Sequence, residues 1–367
     1  MAAKNGAAVV YDINLPYTEL TPEANKTTKY HEYLPTWDPI WFEPLKEFEF
    51  EDPALRVQDK SLPNLLKDGA KVSHIQPGLG AIIEGVQLNQ LDAAAKDELA
   101  YLVSHRKVLV FPNQDIIDEG PAVQQAFMDY FGKRNYQPVS GTVRGHPGFH
   151  IIHRDGNKEE ISNFLSRKST TTLWHQDVSY EMQPPGYVML GLLQGPEVGG
   201  DTVFTATDAA YKRLSPAIQS LLDKLEAVHT SSKMINHVKA VGAWSARIQR
   251  NVHPLVEGPS RDRREVHICE WGVHQPNVGL KESEEKMLMD FLLNHLMTGH
   301  DFSGTCQVAT KSIVLFDNRS LIHSAIVDYI DEDRGARPRH IFRLCAMAEK
   351  PIPVKKLRMC LEELYTP

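Results

Sequence analysis

Cysteine is scarce in this 367-residue chain: Cys269, Cys306, Cys345 and Cys360 are the four, and no two are spaced as C-x-x-C. That excludes a disulfide framework and a zinc knuckle, and it suits reduced, buried thiols in a cytoplasmic protein. No apolar run approaches the roughly 18 residues that a membrane-spanning helix needs, so no membrane partner is expected. The N-terminal stretch MAAKNGAAVVYDINLPYTEL has no basic region leading into a sustained apolar one, so no signal peptide is expected. Positive charge is not in excess either. Forty Lys and Arg against 47 Asp and Glu give a formal net charge of -7, which argues against nucleic acid as a partner. Internal repeats and low-complexity segments are also missing. A hydrophobic share of 42% and a charged share of 24% describe an ordinary globular chain, long enough to bury a large core.

Proline and aromatics are plentiful in residues 1–70, where Pro16, Pro22, Pro35, Pro39, Pro44, Pro53 and Pro63 recur without a helical stripe. Tyr30, Tyr33, Trp37, Trp41, Phe42, Phe48 and Phe50 accompany them, and such bulk rarely belongs to a disordered tail. Residues 1–70 are therefore expected to form an extended arm packed on a core domain of 71–367, or else covering a partner subunit. From Lys71 the pattern becomes regular. Val72 to Val86 suggests strands, and Leu91 to Ser104 has helical spacing. Lys107 to Phe111 reads as a buried strand ended by Pro112-Asn113, and Ala122 to Phe131 as a short helix. Ser215-Pro216 marks a helix start, with Ile218, Leu221, Leu222, Leu225 and Val228 as its core stripe. A further helix over Glu282 to Met297 carries Met287, Leu288, Phe291, Leu292 and Leu296. Short β-like runs at Val266 to Ile268, Ser312 to Phe316 and Arg339 to Met347 complete a mainly β chain with helical insertions. A jelly-roll core, that is a double-stranded β-helix, is the expected architecture.

Three places carry chemistry. In Leu173-Trp174-His175-Gln176-Asp177, residues two apart on an extended segment share a face, so His175 and Asp177 could grip one ion while Gln176 looks away. Taken alone, His-x-Asp is more often a pair of solvated turn residues. His323 follows the apolar strand Ile313 to Phe316 and the turn Asp317-Asn318-Arg319, which places it at the start of the next strand. The other histidines, His150 among them, sit singly and read as packed or solvated. In Arg339-His340-Ile341-Phe342-Arg343-Leu344, both arginines and Ile341 share one strand face. Two guanidiniums inside an apolar core are costly unless each meets an anion, supplied by internal acids or by ligands.

In order along the chain, W-H-x-D, G-G-D-T, D-N-R-x-x-x-H and R-H-x-x-R resemble the taurine dioxygenase family of Fe(II)/2-oxoglutarate-dependent oxygenases. The likeness runs from about residue 75 to about 350, and the arm resembles the extension of fungal members. It implies that His175, Asp177 and His323 bind Fe(II) and that Thr202 and Arg339 bind 2-oxoglutarate. It also implies that Arg343 holds the anionic group of the primary substrate, with O2 as second cosubstrate. Homo-oligomerisation is left open.

The chain departs from the family where the substrate sits. Gln137 and Ser140 stand where a histidine and a tyrosine contact taurine, and Thr171 stands where an asparagine does. Hydrogen-bonding pockets discriminate strongly, so a small anionic or zwitterionic amino acid or related carboxylate is expected, with a sulfonate as the alternative. Hydroxylation, desaturation and C–N ring closure are not distinguished. A zinc hydrolase on the same three ligands and a non-catalytic binding protein are the readings from other classes. The polar segment Arg154 to Thr172 fits a lid or a solvated insertion equally.

Overall fold

The computed structural model describes residues 28–36, 43, 45–67, 69–136, 141–154, 173–232, 235, 248–257, 279–306, 308–329 and 338–354, and the backbone at 9–10, 18–19, 265–266 and 274–275. After a short antiparallel pairing of Val9–Val10 with Thr18–Glu19 and 3-10 turns at His31–Tyr33 and Pro53–Arg56, the main sheet begins at β1 (Lys71–His74) and β2 (Ala81–Glu84). Helix α1 (Ala93–Arg106) is capped by Asp92, whose side chain accepts from the Ala95 amide at 2.8 Å, and it buries Ala95, Leu99 and Val103. Strand β3 (Val108–Phe111) is buried throughout, and α2 (Pro121–Met128) opens on a proline. Next come β4 (Lys133–Arg134), β5 (His150–Arg154), the long β6 (Pro185–Gln194) and β7 (Thr202–Ala206). Helices α3 (Thr207–Arg213) and α4 (Pro216–Leu222) precede β8 (Glu226–Thr230) and β9 (Arg250–Pro254). After α5 (Glu282–Thr298) the chain closes through β10 (Ser303–Cys306), β11 (Ile313–Asp317), β12 (Leu321–Ala325) and β13 (Arg339–Met347).

Eight strands form one sheet in the order β1-β2-β3-β11-β6-β13, with β4 and β5 both pairing with β13. A three-stranded sheet, β10-β7-β12, lies against it, and the architecture is the jelly roll expected. The pleat sorts β13 between two cores. Phe342, Leu344 and Ala346 enter the cluster shared with α1, α2 and Tyr33, whereas Cys345 enters the cluster between the sheets, with Val188, Phe204 and Phe316. Arg339, Ile341 and Arg343 alternate with the first set and so share the between-sheet face with Cys345.

Two apolar stripes end differently from their sequence spacing. Helix α4 stops at Leu222, leaves Leu221 41% exposed, and hands Val228 to β8, where it pairs with Val252. The i, i+3 spacing runs on through Val228, but antiparallel pairing with β9 claims that segment instead. On α5, Leu288, Leu292 and Leu296 are buried, while Met287 and Phe291 are 69% and 45% exposed.

The described part of the arm lies on the sheet's outer face. Tyr33 is fully buried, stacks on Phe342 at 5.7 Å between centroids, and its carbonyl accepts from His340 Nε2 at 3.0 Å. Thr28 Oγ1 meets His153 Nε2 at 2.9 Å, and Thr36 bridges Thr142. Burial, with His153 nearby, pushes His340 down from 6.5 to about 3. Below pH 6.5 the unfolded chain takes up a proton that the folded His340 refuses. Its contribution is therefore complete above about pH 6.5 and is lost as pH falls toward about 3. Unfolding free energy from denaturant titrations should drop by about 1.4 kcal/mol per pH unit on this account between pH 6 and 4. The slope should shrink in His340→Asn, and an identical slope in that variant would contradict the assignment.

One buried ion network ties the arm to the turn before β12. Arg319 donates to Asp317 through Nε and Nη2 at 2.8 and 2.9 Å, and through Nη1 to Asp52 at 2.8 Å and Glu349 at 3.0 Å. Removing this one cation would take its charge away from three carboxylates, two of them deeply buried. Arg319→Met is expected to cost about 3–5 kcal/mol in denaturant unfolding. A loss under about 1 kcal/mol would mean that the acids do not depend on Arg319.

Candidate active site

The segment 173–177 is laid beside β12 by an isolated β-bridge. The His175 amide donates to the His323 carbonyl at 3.0 Å, and the His323 amide donates back at 2.9 Å. This pairing sets the two imidazoles side by side, 4.2 Å between centroids with their planes tilted by 45°. Leu173 N–H donates to Ser324 Oγ at 2.7 Å, anchoring the segment one residue further along. Asp177 is held by Asn318, which accepts from the Asp177 amide at 2.7 Å and donates to its carbonyl at 3.0 Å. Gln176 points away and donates to the Asn318 and Arg319 carbonyls. Phe204 and Phe316 wall in the His323 ring, at 5.8 and 5.1 Å between centroids.

One ligand atom each from His175, Asp177 and His323 falls within 4.8 Å of the others. Asp177 Oδ1 is 3.5 Å from His175 Nε2 and 3.9 Å from His323 Nε2. His175 Nδ1 lies 2.8 Å from the Leu173 carbonyl, which places the proton on Nδ1 and frees Nε2 as a donor to a metal. Burial works to raise the Asp177 pKa, but the Arg343 guanidinium, then His323 and His175, outweigh it. The carboxylate stays ionised well below the usual range. Burial and the neighbouring His175 push His323 down to about 3, so it is neutral and able to ligate. Asp177 Oδ2 is buried with no hydrogen-bond partner among the described residues. Two imidazoles, one ionised carboxylate and an unsatisfied carboxylate oxygen fit a divalent iron bound on one face.

The two arginines of β13 flank this cluster. Arg343 is an ion-pair partner of Asp177 through Nη1, and its buried Nε makes no hydrogen bond among the described residues. Arg339 donates from Nε to the Gly200 carbonyl at 3.0 Å. Burial lowers it from 12.5 to about 10, with Tyr329, Asp201 and Asp328 only partly offsetting the penalty. Gly199 and Gly200 make the approach possible. Both have positive φ, of 84° and 73°, and a Cβ on Gly200 would stand 3.2 Å from Arg339 Nε. Thr202, the next residue but one, opens β7 opposite Ala325, while His323 stands opposite Phe204. Thr202 and His323 therefore lie on the same face of one ladder.

Three residues near the cluster carried no assignment in the sequence. Asn318 was legible as part of a turn and of the D-N-R-x-x-x-H motif, but with no role of its own. His150 stands in register with Arg343 across β5 and β13, and burial, then Arg343, holds its imidazole well below the ordinary value. Tyr180 is buried with its hydroxyl unbonded among the described residues. Gln137, Ser140 and Thr171 lie outside the described residues, as does all of the polar segment 154–172 except Arg154.

Two histidines and one carboxylate gathered between the sheets of a mainly β core, beside two buried arginines, define a metal-dependent oxygenase class. The family model described as "Taurine catabolism dioxygenase TauD, TfdA family" matches residues 71–345, and the chain belongs to that family. It is an Fe(II)/2-oxoglutarate-dependent dioxygenase, with O2 as the other cosubstrate. An alpha-ketoglutarate-dependent sulfonate dioxygenase of Saccharomyces cerevisiae is 36% identical, over 93% of this chain and 82% of the relative. An alpha-ketoglutarate-dependent dioxygenase of Penicillium expansum is 34% identical over 91% and 93%. A solved putative alpha-ketoglutarate-dependent taurine dioxygenase from Burkholderia xenovorans is 26% identical, with a TM-score of 0.64 over 78% of this chain and 96% of its own.

Proposed function

We propose that the protein oxidises an unactivated C–H of a small organic anion, a sulfonate before an amino acid. His175, Asp177 and His323 hold the iron, Thr202 and Arg339 take 2-oxoglutarate, and Arg343 takes the acid group of the primary substrate. The observation that carries this reading is Arg343. It is a buried guanidinium beside the metal cluster, with one nitrogen on Asp177 and a buried Nε that has no hydrogen-bond partner among the described residues. Such a fork suits an oxyanion and is costly if left unanswered. Bound iron with 2-oxoglutarate supplies the oxidising power, through oxidative decarboxylation coupled to C–H cleavage. The chain's own residues do the rest. Asn318 fixes the Asp177 backbone, the His175 to Leu173 bond fixes the imidazole's tautomer, and Phe204 and Phe316 keep water from His323.

Sulfonate takes precedence because the yeast relative, named a sulfonate dioxygenase, spans nearly the whole chain. The amino-acid reading rests on Gln137, Ser140 and Thr171, which lie outside the described residues. The zinc hydrolase gains no support from the family. The buried thiols Cys306 and Cys345 favour a reducing, cytoplasmic setting. The test is succinate formation by the iron-loaded enzyme, under air and anaerobically, with linear alkanesulfonates, taurine and a panel of amino acids. Sulfonates should raise kcat/KM at least tenfold above any amino acid. An amino acid outrunning every sulfonate would reverse the order while leaving the oxygenase chemistry in place.

A further inference from the structure

We propose that residues 48–54 of the arm brace the iron ligand Asp177, with Asp52 as a positioning residue that helps set the affinity of the site for Fe(II). This rests on the reading that Asp177 ligates iron. Two segments grip each other around Asp177. From the turn before β12, Asn318 accepts from the Asp177 amide at 2.7 Å and donates to its carbonyl at 3.0 Å. The same side chain reaches the Pro185 carbonyl at 3.2 Å, and the Asn318 amide donates to Gly186 at 2.8 Å. From the other segment, the buried Gln176 donates to the Asn318 and Arg319 carbonyls at 3.1 and 3.3 Å. The Asp177 carboxylate is therefore placed only as well as the turn 317–319 is held against the segment 176–187.

The arm binds both of these segments. On the turn, Asp52 Oδ2 accepts from Arg319 Nη1 at 2.8 Å, with both side chains buried. On the segment, Asp52 Oδ1 accepts from the Tyr187 hydroxyl at 2.8 Å, so one carboxylate spans the two. Phe48 adds a second attachment. Its amide donates to Gln183 Oε1 at 2.9 Å, and its carbonyl accepts from Gln183 Nε2 at 3.0 Å.

A buried ion pair adds little net stability over apolar packing, and its best-attested use is to fix one arrangement of the chain. The arrangement fixed here is that of the two segments around Asp177. Residues 48–54 precede the part of the chain that matches the family, 71–345, so the brace reaches the shared oxygenase segment from outside it. Partners that orient a metal's ligands are typically worth about ten- to a hundredfold in metal affinity. Asp52 acts one step further out, through Arg319 and the turn, so the lower end of that range applies.

The experiment is an anaerobic titration of Fe(II) into the metal-stripped 367-residue chain without 2-oxoglutarate, alongside the melting midpoint. Asp52→Asn isolates the contact. Its Oδ1 can still accept from Tyr187 and from the Ala54 amide, but an N–H now faces Arg319 Nη1. The Kd for Fe(II) should rise about tenfold. Asp52→Ser keeps a helix-capping oxygen without opposing a donor to Arg319, and should weaken binding as far even if the first variant folds poorly. Tyr33→Leu loosens the arm by breaking its stack on Phe342 and leaves Arg319 alone. Its melting midpoint should fall while its Kd for Fe(II) holds. In Asn318→Ala the relay is already cut, so adding Asp52→Asn should weaken binding no further. A native Kd in both Asp52 variants, equal weakening in Tyr33→Leu, or full additivity with Asn318→Ala would overturn the proposal and mark the arm as packing. If Asp177→Ala loses iron and the Asp52 variants keep it, only this inference fails. If Asp177→Ala binds iron as the native chain does, the ligand reading falls and takes this inference with it.

Discussion

His323→Ala is expected to abolish stoichiometric iron binding and, with it, succinate formation. The reasoning starts from the donor set. His175, Asp177 and His323 present one ligand atom each within 4.8 Å, and no fourth histidine, cysteine or carboxylate joins the group among the described residues. Three protein ligands already leave about half of an iron's coordination positions to other molecules, so removing one leaves a two-point site. The loss extends beyond the missing nitrogen. His323 also packs against Phe204 and Phe316, so its removal takes away a ring that those two side chains wall in beside the cluster. Iron content of the purified variant, measured by metal analysis after loading and desalting, reads the effect without reference to turnover. A variant that holds one equivalent of iron and keeps native activity would sink the ligand assignment. His175→Ala and Asp177→Ala should behave alike. Asp177→Ala should also be less stable, because it leaves the buried Arg343 without its carboxylate.

Arg339→Ala should weaken 2-oxoglutarate binding by roughly two to three orders of magnitude, since breaking a bidentate charge pair inside a pocket costs several kcal/mol. The site around Arg339 supports that size of effect. Burial has already brought its pKa to about 10, so the guanidinium is poorly compensated by Asp201, Asp328 and Tyr329. An incoming carboxylate meets a charge that the protein has left short of partners. Arg339→Lys should recover only part of the affinity. An ammonium carries the charge but not the planar fork, nor the Nε that holds the Gly200 carbonyl. The KM for 2-oxoglutarate, at saturating primary substrate, separates this from a folding defect checked by the melting midpoint. An unchanged KM in Arg339→Ala would mean that another group takes the distal carboxylate.

How much of this could be read in advance differs from one residue to the next. The strand Arg339–Met347 was legible with both of its ends, because a short apolar run interrupted only by Arg339, His340 and Arg343 is a local pattern. Helix α1 was legible through its stripe of Leu99 and Val103, although read as Leu91 to Ser104 rather than Ala93–Arg106, and the capping by Asp92 is a finding of the structure. His175, Asp177 and His323 could be named from four motifs in order, although nothing near His175 specifies that its backbone will pair with His323. The α4 stripe misled for the converse reason. Its spacing was helical through Val228, and only the pairing of β8 with β9 decided that the helix should stop.

The sequence by itself pointed to the class of chemistry: two imidazoles, one carboxylate, a hydroxyl and two arginines, in an order that resembles one family. Tertiary structure alone decided how that set is held and what it faces. The β-bridge between His175 and His323, the Asn318 grip on Asp177 and the Arg319 network all join segments far apart in the chain. So does the placement of His150 opposite Arg343. Periodicity and capping are set by neighbours within a turn or two and leave a trace in the local sequence. Strand register is set by which segments lose water together, and a single histidine or tyrosine carries no mark of the partner it will meet.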